Sequence, residues 1–358
     1  LLQFGPYADA SALINTYALF VASSQGGADH PSQGIEVDTA FDATFDSHQI
    51  EYLITANTSA IIAAVSEVMP AYDVVVLIVN DSAYGGSGGE VPMVSMATES
   101  LAILKHEFAH SVANLADEYE HSNPNSIVTD PEVNVASADH LHPLKWQHWV
   151  KEMTPVPTDI AEATGPHEPV GAYEGARYLK KDMFRPAPQC LMRSLDQTFC
   201  PVCYEAILLA IAADTRTIRD HHPGHRKVQC AVPSCPSFSL VSTQVPGTIR
   251  WYRDGVLIAT GPSWRPQSGD EGSFLLTAQL TEFGDRVRSD PLAVLGEEIV
   301  WQVEVISIQK EEPLTATPAP AGCQAKATMS GFHRDAIGAM IGLMAGLLLA
   351  RRRRGRTT

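Results

Sequence analysis

His106-Glu-Phe-Ala-His110 sets two imidazoles four residues apart, with a carboxylate beside the first. On a helix that spacing puts both rings on one face, about one turn apart and within reach of a single Zn²⁺. Glu107 then stands next to the ion without binding it, placed to take a proton from water at the metal. No Pro or Gly interrupts residues 98–115, so a helix can carry the site. Leu101, Leu104, Phe108, Val112 and Leu115 recur at three- and four-residue steps, an apolar stripe facing a core. His106 and His110 fall off that stripe, toward a cleft.

A catalytic zinc takes a third protein ligand and keeps one open position. Asp117 is the first candidate, seven residues past His110, and Glu118 the second. Asp117 could instead orient a histidine from behind. In a straight helix Asp117 would lie roughly 10 Å along the axis from His110, so the helix must end and the chain must turn back. Asn114 tolerates the left-handed conformation that such a turn requires.

HEFAHSVANLADEY (106–119), KWQHW (145–149), YEGARY (173–178), RPAPQCLMRSL (185–195) and FCPVCYEAI (199–207) together resemble the IgA-peptidase family of bacterial zinc metallopeptidases, a metzincin-like group. Upstream, TAFDATFD (39–46) and VVVLIVNDSAYGG (74–86) continue the resemblance, which covers residues 7–212. It implies zinc ligands at His106, His110 and Asp117 and a general base at Glu107. It also implies that Met192, in a tight turn after Cys190, lies beneath the zinc-binding histidines as a soft apolar floor. The chain departs from the commoner H-E-x-x-H-x-x-G-x-x-H motif, with Ala113 for its glycine and Ala116 for its third histidine. Immunoglobulin cleavage belongs to particular members, so the substrate expected here is an extracellular protein or peptide.

Around the site the pattern is α/β, or α+β, in kind. The later part of residues 11–22 reads as a buried strand, 57–65 as a helix capped by Asn57 and ended by Pro70, and 73–79 as a central strand. Residues 92–97 read as an edge strand, which in metzincin-like enzymes pairs with an extended substrate. The Gly85-Gly-Ser-Gly-Gly89 loop lacks a following Lys-Ser/Thr and is no phosphate loop. Across residues 120–170, Trp146 and Trp149 are expected to pack a long excursion onto the core, leaving His140, His142 and His148 as surface histidines. Tyr173 and Tyr178 could reach the metal as hydrogen-bond donors to an oxyanion. Residues 201–213 read as a further helix.

The organisation expected is a catalytic domain over 1–222 and an all-β, immunoglobulin-like sandwich over 226–308. A Pro/Ala/Thr linker with Cys323 then spans 309–335, and a short hydrophobic sorting or anchor helix with an Arg-rich tail spans 336–358. The sandwich is read from the Trp251 strand and the Asp254-Gly255 hairpin, without the Cys…Trp…Cys arrangement of antibody domains. Formal charge is −16, with 41 acidic against 25 basic residues, which argues against nucleic-acid binding. The six cysteines suggest disulfides, Cys230 with Cys235 and Cys190 with Cys200 or Cys203. The competing use is a structural zinc on Cys200, Cys203, Cys230 and Cys235.

The chain starts at Leu1 already inside the resemblance, so further upstream sequence is expected. At the other end, Cys323, the 15 uncharged residues 336–350 and the arginines 351–354 resemble myxobacterial surface-sorting tails. That resemblance implies membrane contact through the tail before processing, then display at the cell surface or secretion. The leading reading is a zinc endopeptidase using metal-activated water. A surface adhesin with an inactive peptidase domain and a zinc amidase acting on cell-wall material are its alternatives.

Overall fold

Asn57 opens the first helix: its side-chain oxygen accepts from the Ala60 N–H at 3.1 Å, satisfying a donor that the helix start would otherwise leave free. In the computed structural model, which describes residues 1–120, 128–213, 215, 218–242, 247–291 and 294–306, this helix is α1 (Thr58–Val68), ending just ahead of Pro70. Three short strands follow, β1 (Leu77–Val79), β2 (Gly86–Ser87) and β3 (Met93–Ser95), in the sheet order β1-β3-β2. β3 runs parallel to β1 and antiparallel to β2.

Three expectations are corrected here. β3 is the middle strand and not an edge, because β2 pairs with its other side, and Gly86, lacking a side chain, lets β2 lie directly against it. A Cβ at Gly86 would meet the Met93 carbonyl and Ile103. The run 73–79 becomes a strand only over its last three residues, and at the sheet's rim, since nothing pairs with its outer side among the described residues. Residues 14–22 form neither helix nor strand, and Tyr17, Leu19 and Phe20 are exposed. Among the described residues no neighbouring strand supplies that segment with ladder hydrogen bonds.

α2 (Ser100–Ala113) packs on β2, β3 and the later helix α3 (Pro201–Ala213). Its buried face is Ser100, Ile103, His106 and Ala109, so the stripe through Leu101, Leu104 and Phe108 only flanks the core. Hydrophobic periodicity misjudged the face because two of its buried residues are polar and held by hydrogen bonds. Ser100 Oγ contacts Ser95 Oγ at 2.8 Å and accepts from the Gly85 N–H at 3.2 Å. α2 ends at Asn114, left-handed at φ 48° and ψ 46°, whose N–H donates to the His110 carbonyl at 3.0 Å.

A second sheet, β4-β6-β5, is built from β4 (Ala136–Ser137), β5 (Tyr173–Ala176) and β6 (Leu179–Arg185). Its β5–β6 loop is two residues, Arg177 and Tyr178, both at positive φ (51° and 67°), where hairpins usually place Asn-Gly. Trp146 and Trp149 are buried in the core shared by α2 and α3, as expected. His148 is not a loose surface group: its Nε2 lies 2.6 Å from Glu205 Oε2 on α3, which also accepts from Trp149 Nε1 at 2.7 Å.

The remaining strands are β7 (Ile218–His222), β8 (Lys227–Ala231), β9 (Phe238–Ser242), β10 (Gly247–Arg253), β11 (Val256–Thr260), β12 (Ser263–Trp264), β13 (Gly272–Glu282) and β14 (Glu298–Ile306). They form two sheets, β11-β10-β13-β14-β8 and β12-β9-β7, around one core containing Phe238, Trp251, Phe274, Leu276 and Trp301. β7 lies upstream of residue 226, where the composition changes. Asp254-Gly255 turns β10 into β11, as its sequence indicates. Between β13 and β14 the chain returns to α3. Phe283 packs with Leu208 and Ala212, and Glu205 Oε1 accepts from the N–H groups of Arg288 and Ser289 at 2.5 and 3.0 Å.

Cys230 and Cys235 form the expected disulfide. Cys190, Cys200 and Cys203 are all free and buried, so the second expected pair is corrected; the three thiols share one cluster with Glu118. Among the described residues no helix is long and apolar enough to cross a membrane. Cys323, the apolar run 336–350 and the arginine cluster lie outside the described residues.

The left-handed end of α2 yields a stability test. Asn114→Ile, branched at Cβ, should lower unfolding free energy by about 1–2 kcal/mol, while Asn114→Gly should stay within a few tenths. Urea denaturation midpoints of the two variants check the difference.

Candidate metal centre

His106 and His110 project from adjacent turns of α2, and the reversal at Asn114 brings Asp117 back to them. His106 Nε2 lies 2.9 Å from Asp117 Oδ1 and 3.1 Å from His110 Nε2, and His110 Nε2 lies 3.3 Å from the same Asp117 oxygen. The three donor atoms fall within 4.8 Å of one another and could hold a metal ion. His106 and Asp117 are buried and His110 partly so.

The ring nitrogens on the far side decide the protonation pattern. His106 Nδ1 is 3.0 Å from the Leu191 carbonyl, and His110 Nδ1 is 2.5 Å from the Leu115 carbonyl. A carbonyl only accepts, so both Nδ1 atoms donate. In the neutral rings both Nε2 atoms then carry lone pairs, aimed at each other and at a carboxylate oxygen. Three acceptors with no proton between them could hold a cation. Burial alone pushes the Asp117 carboxyl pKa upward, but its two histidine neighbours, when they carry protons toward it, outweigh that and hold it well below the usual carboxylate range.

Glu107 points to the flank of the group. Burial raises its carboxyl above the ordinary range, partly opposed by His106 and His110. Gly88, just past β2, lies so close over this carboxylate that any Cβ there would collide with Oε2 and Cδ. The glycine loop thus covers the face of Glu107, and its sequence signal was the glycine run itself.

The β5–β6 hairpin closes the other side. The Arg177 N–H donates to the Asp117 carbonyl at 2.9 Å, the Tyr178 N–H donates to the Tyr119 carbonyl at 3.0 Å, and the Tyr178 hydroxyl donates to Asp117 Oδ2. Burial first, and then this contact with the carboxylate, push the Tyr178 phenol up to about 12. Tyr173, the other tyrosine considered from sequence, is turned away, its hydroxyl donating to the Pro169 carbonyl at 2.8 Å. Glu118 is also outside the group: fully buried, it faces Asn134 and Cys203. The carbonyls of Leu191 and Leu115 left no trace in the sequence, because backbone acceptors have no residue type.

Three potential donor atoms beside a half-buried carboxylate make a candidate metal centre. The family described as IgA Peptidase M64 matches residues 1–165 and 160–211, more than half of the chain, and the chain belongs to it. By its description that family is one of peptidases. No curated protein matches the chain. Among solved structures, the titin Ig tandem domains A164-A165 are similar at 15% identity over 26% of this chain and 51% of that one, with a TM-score of 0.18. The chain thus spans about half the length of that structure, and a likeness this slight supports no argument.

The close approach at Gly88 gives the second test. Gly88→Ala should leave the thermal midpoint nearly unchanged but displace Glu107, lowering kcat/KM on a protein substrate by about 10²-fold. A variant with undiminished turnover would show that Glu107 does not depend on the Gly88 contact for its position.

Proposed function

We propose that this peptidase is a zinc-dependent endopeptidase in which His106, His110 and Asp117 hold the ion and Glu107 is the general base. The observation that carries the reading is the convergence of two Nε2 lone pairs and a carboxylate oxygen, each ring fixed from behind by a backbone carbonyl. Two imidazoles and one carboxylate suit zinc, leaving a position open for catalysis. Bound there, zinc supplies Lewis acidity that polarises the scissile carbonyl and lowers the pKa of water.

The chain's own groups do the rest. Glu107 takes the proton of the attacking water and delivers it to the leaving amine nitrogen, a role suited to a carboxylate whose affinity for protons is raised by burial. Tyr178 and the Arg177 N–H hold Asp117 in place from two sides. Met192 is fully buried in a tight turn closed by the Arg193 and Ser194 N–H groups on the Cys190 carbonyl, and the neighbouring Leu191 carbonyl orients His106. That turn supports a metzincin-like reading of the catalytic part, residues 1–222, with an immunoglobulin-like module over 226–308. The Cys230–Cys235 disulfide supports display outside the cytoplasm, at the cell surface or secreted.

Zinc content and casein cleavage of the full chain test the reading together. Wild type stripped with a strong chelator should lose cleavage and recover it with zinc. Glu107→Ala should keep the zinc bound at His106 and His110 and lose about 10²–10⁴-fold or more in kcat. Zinc at this site with no cleavage by wild type would favour a binding role, and folded protein without zinc there would sink the assignment.

A further inference from the structure

Glu118, Cys190, Cys200 and Cys203 are all buried at the base of α3, and their donor atoms lie within 4.8 Å of one another. A tetrahedral ion with metal–sulfur bonds of about 2.3 Å separates its donors by roughly 3.8 Å, so the cluster needs only a small inward relaxation. Its members come from three separated segments: the loop after α2, the turn beneath His106, and the start of α3. We propose that these four side chains form a second, structural zinc site, distinct from the His106 centre and independent of the peptidase reading.

The unpaired oxygen is the first argument. Glu118 Oε1 accepts from Asn134 Nδ2 at 3.0 Å and lies 3.1 Å from Cys203 Sγ, but Oε2 is buried with no hydrogen-bond partner. A carboxylate oxygen left bare in a core is among the costliest groups a fold can retain, and a bound cation removes that cost. The second argument is the odd number of thiols. Any disulfide within the cluster would use two and strand a third beside a carboxylate, whereas a metal uses all three. Thiolate donors select zinc over harder ions, and binding displaces the thiol protons.

Charge supplies the third argument. Three thiolates and a carboxylate around a divalent ion leave two negative charges in the interior. Arg193 donates from Nη1 to the Glu118 carbonyl at 3.0 Å, and the buried Arg185, attracted by Glu118, retains a free Nε. These guanidiniums are placed to balance such a centre.

The consequence reaches the other metal centre through the backbone. Glu118 adjoins Asp117, and its N–H donates to the Met192 carbonyl at 2.7 Å, while Cys190 adjoins Leu191, whose carbonyl orients His106. A zinc clip here would hold the third-ligand loop and the turn under α2 against α3.

Metal content of the full chain should be two zinc per chain, falling to one in the double variant His106→Ala/His110→Ala. Cobalt-substituted protein should show intense near-ultraviolet thiolate-to-cobalt charge transfer, unchanged in that double variant and lost in Cys203→Ser. Because Cys203→Ser could fail to fold, wild type is also titrated with an organomercurial, which should release one zinc to a chromogenic chelator. One zinc with no thiolate band, or a peptide map with a disulfide among Cys190, Cys200 and Cys203, would overturn the proposal. Neither result touches the His106 site, whose zinc is scored by loss in the histidine variant.

Discussion

Two backbone hydrogen bonds govern the centre of this molecule: His106 Nδ1 to the Leu191 carbonyl and His110 Nδ1 to the Leu115 carbonyl. They fix which nitrogen of each ring is bare, and so decide that the α2 face presents lone pairs instead of N–H donors. Much of the surrounding fold keeps those carbonyls where they are. Leu115 follows directly on the left-handed Asn114, and Leu191 sits in the turn that also positions Met192. α3 and the tryptophans at 146 and 149 share a core with that turn.

The grouping of His106 with His110 was legible because their spacing is chemical: a His pair one turn apart needs no tertiary context to be read. The end of α2 could be derived as well, since Asp117 reaches His110 only if the helix stops, and Asn114 is the residue able to stop it. Asp117 and Glu118 could not be separated by sequence, being adjacent carboxylates; the fold sends one to the histidines and the other into the thiol cluster. The face of α2 was misread because Ser100 and His106 are buried through hydrogen bonds, to which apolar periodicity is blind. Strand order likewise depends on contacts between separate segments: in the glycine run that looked like a loop, Gly86 belongs to a sheet edge pressed against β3 and Gly88, just past it, lies over Glu107.

The hairpin tip shows how the chain meets a geometric demand with unusual residues. Arg177 and Tyr178 hold left-handed conformations that glycine or asparagine would adopt with less strain, of order 1–3 kcal/mol for each such residue. Both are engaged by their backbone N–H groups on the 117–119 segment, and Tyr178 adds its hydroxyl to Asp117. An Asn-Gly turn would relax the hairpin but lose the phenol, so local comfort yields to support of the ligand loop.

Glu205 gives the β-sandwich a meaning beyond that of an appended module. One carboxylate on α3 receives His148 and Trp149 from the excursion on one oxygen, and the backbone of Arg288 and Ser289 on the other. The loop between β13 and β14 therefore completes the hydrogen bonding of a buried carboxyl group on α3, and Phe283 fills the same helix's apolar side. Cutting the chain after α3 would strip that carboxyl group of two backbone donors and uncover the helix at once. The two parts are thus joined as a keystone is to its arch, through the single helix that both of them pack against.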